Sequence, residues 1–566
     1  MSERPAICLN MIVKDEAHIV RQVLDVCAPY ISTWVIVDTG STDGTQDTIR
    51  NHMASLGIPG ELHERPWRNF GHNQTEAMAL AQGHGEYRLW MDADDVFIGA
   101  PDFTQLDADI YSLRVGSGFT YWRPQLIRSG LPVRCVGVIH AYLACDEPNV
   151  SWARLDGDYY VDSRRLGAQS KDPQRYVRDA QMLLAEVERN PQDSRSVFYL
   201  AQSYFDAGDY IHAYTWYQRR ADMGGWEEEV YYSLNRVAQC MAHLGRPWPD
   251  IQDAYLRAWA FRPTRAEPLY HIAVHYRVER DYQLGYLFAE RAAQIPLPED
   301  DNLFVFADVY SWCAMDEQAV CASWIGKHAE AFALCRHLLT RRDIPEGRRQ
   351  EIAGNRDFSV PALLDAASSY PAEVAGSLVT TYRESDVAVS LIAGPDLAVT
   401  ERTLNSFLQC CTDVSRAGRF IVVDAGLSDT DRRLLEDRYG FLEFADCGGD
   451  GRASQMAQLR TRIHGRFWLH LGEGWQFFAP EDLITRLIGV LEAEPRVRQV
   501  GINYGDADKL TGVCASEQEA RRTPDTARYV LTDVDADGPA MVDTTRLDQA
   551  DATATLDEVL CIRSVF

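Results

Sequence analysis

The chain has 566 residues, enough for three or four domains. Its hydrophobic content of 46% gives each domain a core to bury, and its formal net charge of −27 argues against a broad phosphate-binding surface for duplex nucleic acid and against binding to anionic lipid. Thirteen cysteines, an odd number with no Cys-x-x-Cys pair, read as reduced, mostly buried thiols of a cytoplasmic protein. The opening residues, Met1-Ser-Glu-Arg-Pro-Ala6, hold no basic segment followed by a long apolar one, so no signal peptide is expected. No apolar run approaches the ~18–20 residues that span a bilayer, so no membrane partner is expected.

Ala6-Ile-Cys-Leu-Asn-Met-Ile-Val13 is a first strand, and Lys14-Asp-Glu16 opens a helical segment in which Ile19, Val20, Val23 and Leu24 recur at helical spacing. Trp34-Val-Ile-Val-Asp38 is a second strand, followed by a loop of small turn formers, Thr39-Gly-Ser-Thr-Asp-Gly-Thr45, and a helix over Thr45–Leu56. This order predicts a parallel, right-handed βαβ unit. Asp38 falls where acids of nucleotide-binding folds accept hydrogen bonds from a nucleoside. A plain turn with an N-cap at Ser41 or Asp43 is the alternative. A helix over Gln74–Ala81 then leads to Arg88-Leu-Trp-Met-Asp-Ala-Asp-Asp-Val-Phe97, where an apolar run stops at Asp92 and the carboxylates Asp92, Asp94 and Asp95 follow within four positions. Read as a buried strand, it places Asp92 and Asp94 on one side by the period of two, at the end where open α/β sheets bind ligands. Two hard oxygen donors there suit Mg²⁺ or Mn²⁺ holding a diphosphate. An acidic turn capping the next segment is the other reading.

Four motifs occur in order: Leu9-Asn-Met-Ile-Val-Lys-Asp-Glu16, Val35-Ile-Val-Asp-Thr-Gly-Ser-Thr-Asp-Gly-Thr45, Asn73, and Met91-Asp-Ala-Asp-Asp95. Together they resemble the family 2 glycosyltransferases of the GT-A fold. The resemblance implies a Rossmann-like α/β domain over residues 1–168, a nucleotide-sugar donor (a UDP-sugar), a divalent cation and inversion at the anomeric carbon. It assigns nucleobase and ribose contacts to Asn10, Glu16 and Asp38, a donor contact to Asn73, and the metal and donor diphosphate to Asp92 and Asp94. His140, in Val136-Gly-Val-Ile-His140, stands where relatives carry a His followed by Glu; here Ala141 follows. His140 is thus a candidate third metal ligand or diphosphate contact, with a satisfied structural histidine as the alternative. Without that neighbouring acid the general base is open among Asp95, Asp146, Glu147 and Asp158. The Leu166-Gly-Ala-Gln-Ser170 segment also lacks the arginine usual at that point.

From about residue 169 to 370 the pattern is helical and repeating, with a turn at Ala207-Gly-Asp209 and returns near Glu229–Ala260 and Ala266–Ala293. The spacing approximates the tetratricopeptide period of about 34 residues. The Tyr and Trp stripes read as repeat core, with a concave groove for an extended acceptor as the functional alternative. Residues 371–566 carry Val387–Ile392, Phe420–Asp429 and Phe467–Phe477, which parallel the first domain's strands. Gly472, Gly474 and Trp475 stand in the positions of Asp92, Asp94 and Asp95, so a second α/β, GT-A-like domain without its metal carboxylates is expected; Asp424 reads as a remnant. The leading expectation is a metal-dependent hexosyltransferase acting on a hydroxyl of a protein or peptide. A non-catalytic repeat scaffold, and transfer to a modified DNA base or a surface glycan, are the alternatives. The sequence leaves homo-oligomerisation open.

Overall fold

A computed structural model describes residues 5–164, 166–167, 174–341, 343–380, 385–446, 451–502, 520–523, 528–532, 538–549 and 561–564. Ala168, Gln169 and Ser170, and the expected domain boundary at 168/169, lie outside the described residues. The chain divides into two compact units after Ala314, inside the stretch expected to be one repeat domain. Among the described residues no helix is long and apolar enough to cross a membrane.

The first unit opens with β1 (Ile7–Val13), α1 (Val20–Cys27), β2 (Thr33–Asp38), α2 (Thr45–Leu56), β3 (Gly60–Glu64), α3 (Phe70–Leu80) and β4 (Tyr87–Trp90). There follow β5 (Asp95–Gly99), β6 (Ile110–Val115), β7 (Phe119–Arg128), β8 (Val133–Val136), β9 (Tyr142–Cys145), β10 (Trp152–Arg154) and β11 (Tyr159–Ser163). The main sheet has the order β3-β2-β1-β4-β7-β6-β11-β5, with β8 and β9 forming a separate hairpin. Strands β3, β2, β1 and β4 are parallel, and β7 runs antiparallel to both β4 and β6. Alternation decides which helix each residue meets. Ile7, Leu9, Met11 and Val13 pack with Val20, Val23, Leu24, Ile49 and Met53 of α1 and α2, whereas Cys8 and Val35 face Ala81, beside α3. Burying continuous apolar strands on both faces is what a parallel sheet requires.

Seven helices follow: α4 (Arg175–Arg189), α5 (Ser194–Asp206), α6 (Tyr210–Asp222), α7 (Glu227–His243), α8 (Trp248–Phe261), α9 (Glu267–Val278) and α10 (Tyr282–Ala293). Asp193, Asp209 and Asp281 cap α5, α6 and α10 by accepting from backbone N–H groups in the first turn. The segment after α10 returns to the sheet: β12 (Val305–Phe306) pairs antiparallel with Phe119–Thr120 of β7. Arg154 of β10 donates to the carbonyls of Glu299, Asp300 (2.7 Å) and Asp301 (3.1 Å) and to Asn302 Oδ1 (2.9 Å), and Trp122 N donates to Asn302 O (3.0 Å). On its other side Glu228 Oε2 of α7 accepts from Asn302 N (2.7 Å) and Leu303 N (2.6 Å). Residues 299–306 therefore strap the helices to the sheet.

The second unit begins with helices, from α11 (Ala314–Trp324) to α15 (Ala372–Thr380), and continues into a second sheet. Its leading strands are β13 (Val387–Ala393), β14 (Arg419–Asp424), β15 (Leu442–Asp446) and β16 (Phe467–Leu471), joined later by β17 (Gln499–Ile502), β18 (Ala520–Arg522), β19 (Arg528–Thr532), β20 (Ala540–Asp543) and β21 (Cys561–Ser564). The order is β15-β14-β13-β16-β20-β17-β21-β19-β18. Four parallel strands followed by an antiparallel neighbour repeat the arrangement of the first sheet's β3-β2-β1-β4-β7.

Candidate active site

The register of β1 with β2 and β4 pairs Val13 with Asp38 and Asn10 with Trp90, so the loops after all three strands emerge at one edge. The loops after β1 and β2 interlock through short side chains. Ser41 Oγ accepts from Asp15 N (2.8 Å), Thr45 Oγ1 from Glu16 N (2.9 Å), Asp43 Oδ2 from Ala17 N (3.0 Å), and Asp15 Oδ1 from Thr42 N (2.8 Å). Hydroxyls and carboxylates one bond from the backbone reach neighbouring donors at close range, which is why this loop is made of Ser, Thr, Asp and Gly. Asp38 is buried at the end of β2. Its Oδ1 accepts from Gly40 N and Ser41 N (both 2.9 Å) and from Gln46 Nε2 (3.0 Å), and its Oδ2 is buried with no hydrogen-bond partner.

A cleft of about 1400 Å³ opens at this edge. Lys14, Glu16, Asp92 and Asp94 line one end, and Arg195, Tyr199 and Arg236 of the helices line the other. The expectation that Asp92 and Asp94 share one side of a strand is corrected. Strand β4 stops at Trp90, and Asp92–Asp95 form a turn closed by Asp95 N donating to Asp92 O (3.2 Å) and Asp92 N donating to Asp95 Oδ2 (3.1 Å). The two carboxylates consequently take different partners. Asp92 pairs with Arg123 of β7 (2.9 Å), while Asp94 Oδ2 accepts from Leu166 N (3.0 Å) and Gly167 N (3.3 Å). A Cβ at Gly167 would lie 3.1 Å from Glu16 Oε1 and 3.6 Å from Asp94 Oδ2, so Glu16 and Asp94 flank the same point of backbone.

Asp95, expected as a catalytic group, has no exposed surface and pairs with Arg123. Burial pushes its carboxyl up to about 6 against the pull of Arg123, and both Asp95 and Asp92 push the guanidinium up. The arginine stays cationic and Asp95 is ionised at neutral pH, so it anchors the turn. Arg123 carried no signal in the sequence, because its partners lie about thirty residues earlier in the chain. His140 is also corrected. Its ring stacks on Tyr199 of α5 at 4.2 Å, with 8° between the planes, and its backbone has φ +48°. Surrounding protein, then the charges of Arg175 and Arg195, push its pKa down to about 3. His140 is therefore neutral at neutral pH. Among the described residues no three His, Cys, Asp or Glu side chains gather to hold a metal, and His140 does not join Asp92 and Asp94.

Asn10 and Asn73 turn inward. The Asn10 amide donates to Val35 O and Ala77 O (both 3.0 Å), tying β1 to β2 and α3. Asn73 accepts from Arg68 N (2.9 Å) and donates to Pro66 O (3.0 Å), which shapes the loop carrying the cleft residue Trp67. Of the expected bases, Asp146, Glu147 and Asp158 are exposed and lie off the cleft. The helical wall instead contributes Asp179 of α4, whose carboxyl burial raises above the ordinary range against Arg175 and Arg178.

At the matching edge of the second sheet, Asp424 Oδ1 accepts from Gly426 N (3.0 Å) and Leu427 N (2.9 Å), as Asp38 does in the first. There the Glu473 carboxylate lies against the Gly394 backbone, and Trp475 covers Gly472 and Gly538.

The residues present fit a divalent cation of the kind that takes few protein oxygens and leaves the rest to phosphate and water. Glu16 and Asp94 flank one point, and Asp94 Oδ1 takes no part in the bonds to Leu166 and Gly167.

No curated protein matches the chain. Solved structures similar to it include the C-terminal part of a TPR repeat-containing protein from Cytophaga hutchinsonii, 10% identical over 36% of this chain and 80% of that one, with a TM-score of 0.27. MamA is 12% identical over 36% and 99%, with a TM-score of 0.23, and a thermophilic TPR protein from Thermus thermophilus is 14% identical over 32% and 90%, with a TM-score of 0.24. Residues 10–101, which carry the interlocked loops and the Asp92–Asp95 turn, match the model of glycosyl transferase family 2, and the chain carries a glycosyltransferase domain of that family.

Proposed function

We propose that the first unit transfers a sugar from a nucleotide sugar, a UDP-sugar, to a hydroxyl of a polypeptide, with inversion. The observation that carries this reading is the cleft that joins Glu16 and Asp94, at the loop edge of the family 2 domain, to the wall of helices. On this reading Asp38 and the loop after β2 face the nucleoside, and Asp94 with Glu16 holds Mn²⁺ or Mg²⁺. The cation, when bound, neutralises charge on the leaving diphosphate. Lys14 adds a fixed positive charge in the same end of the cleft. Asp179 takes the acceptor's proton: the hydroxyl oxygen bonds to the anomeric carbon as the bond from that carbon to the phosphate oxygen breaks, and the nucleoside diphosphate leaves with the electron pair. A raised carboxyl suits a base, because proton affinity and ionisation are balanced nearer the working pH. The repeat of strand order and of the Asp38 turn at Asp424 supports reading the second sheet as a GT-A-like relative whose ligand edge is filled by Glu473 and Trp475.

The test is hydrolysis of a panel of UDP-sugars with and without Mn²⁺. Wild type releases UDP only with the metal, and Asp94→Ala loses the activity by at least about a hundredfold. Asp179→Asn leaves metal-dependent nucleotide binding in place while turnover falls and loses its rise with pH. Metal-independent turnover, or full activity in Asp94→Ala, overturns the reading.

A further inference from the structure

We infer that the helical wall of the cleft is an anion-recognition surface, and that the acceptor segment it takes is an acidic stretch of polypeptide. The inference rests on the transferase reading for the word acceptor, but its observations are separate. Two arginines on this wall each lie over two aromatic rings. The Arg195 guanidinium lies 4.9 Å from the Tyr142 ring and 5.0 Å from that of Tyr199. That of Arg236 lies 4.3 Å from Phe205 and 4.9 Å from Tyr232. Stacking fixes the plane of a guanidinium and keeps its N–H edge for oxygen acceptors.

Neither charge is fully answered within the protein. Arg236 donates to neutral partners, the Tyr232 hydroxyl (2.9 Å) and Gln239 Oε1 (2.7 Å), and among the described residues no carboxylate pairs with it. Arg195 donates to the Tyr199 hydroxyl at 3.4 Å and meets one carboxylate, Glu229, at 3.5 Å, which is already bound by Arg220 at 2.9 and 3.0 Å; the Arg195 Nε is buried without a partner. Arg175 and Arg178 of α4 line the same wall, against Asp179 and Asp206. A wall with an arginine excess, inside a protein of net charge −27, is a local departure that needs a ligand to explain it. The same overall charge disfavours a long polyanion such as nucleic acid, whose phosphates extend beyond the cleft and are repelled outside it. A short acidic stretch threaded along hairpin helices meets the arginines alone.

The experiment uses the full chain and three fluorescent probes: a serine-containing peptide rich in glutamate, its glutamine counterpart, and an oligothymidylate. Wild type should bind the glutamate peptide at least about tenfold more tightly than the glutamine one, with the preference falling as salt rises. In R195Q/R236Q, checked for folding by its melting curve, the preference should vanish. The salt dependence in wild type keeps the proposal testable where the double variant fails to fold. Equal binding of the two peptides, an unchanged preference in a folded double variant, or tighter binding of the oligothymidylate overturns it. UDP-sugar hydrolysis without peptide separates the two readings. Hydrolysis without acidic-peptide binding removes this inference alone, and acidic-peptide binding without hydrolysis removes the transferase reading alone.

Discussion

Arg123 decides the shape of the Asp92–Asp95 turn. It spans two carboxylates, one open to the cleft and one with no exposed surface, and is the charge that permits Asp95 to be ionised in the interior. Removing one member of such a pair leaves the other buried and unanswered. Arg123→Leu should therefore destabilise the first unit by about 3 kcal/mol, read as a shift of the urea midpoint at neutral pH. Adding Asp95→Asn to that variant should return part of the loss, because the buried charge is then gone. A wild-type midpoint in the single variant would show that the turn stands without its arginine. Asp92 is paired to the same guanidinium, whereas Asp94 is bound by the backbone N–H groups of Leu166 and Gly167.

The secondary-structure elements show where a sequence speaks and where it does not. Strands β1 and β2 and helix α2 follow from apolar runs bounded by turn formers, and α2 spans the expected Thr45–Leu56. The apolar run ending at Asp92 reads as a strand whose geometry persists through Asp94, yet it stops at Trp90, and a backbone N–H bound to the Asp95 carboxylate folds the acidic residues into a turn. Asn10 and Asn73 are expected as ligand contacts because the family resemblance assigns them that role. Their amides are consumed by carbonyls, and for Asn10 these come from elsewhere in the chain, at Val35 and Ala77, which local pattern cannot supply. The cleft's far wall was hidden for the same reason: Tyr199 and Arg195 meet His140 and Tyr142 across more than fifty residues. The strap over residues 299–306 is likewise non-local. Arg154→Met, which keeps a stem against Trp122 and deletes the donors, should cost about 2 kcal/mol and make the 299–304 segment the first site of limited proteolysis.

For the whole molecule, acid is the informative variable. His470 of β16 is buried beside β13, where its Nδ1 meets Ser390 Oγ at 2.9 Å. Burial, then the charge of Arg452, pushes its pKa down to about 4 from an ordinary 6.5. The unfolded chain thus binds a proton that the folded one refuses, and between those two values the second unit loses stability as pH falls, by on the order of 3 kcal/mol across the window. His470→Asn, which keeps a polar group for Ser390, should flatten that part of the profile, measured as chemical-denaturation midpoints against pH. A profile unchanged by the substitution would assign the acid sensitivity to other groups. The first unit has its own depressed histidines, His140, His271 and His275, with the same sign.

The strap also bears on how the protein can be divided. A fragment ended near residue 168, the expected end of the first domain, would keep the loops after β1, β2 and β4. It would also leave Trp122 and the Arg154 guanidinium facing water, strip the short Val305–Phe306 neighbour from Phe119 and Thr120, and remove the Tyr199 ring from His140. Excising a minimal transferase from this chain therefore calls for a cut beyond Phe306, even though nothing in the sequence after the last motif announces that the sheet is still unfinished.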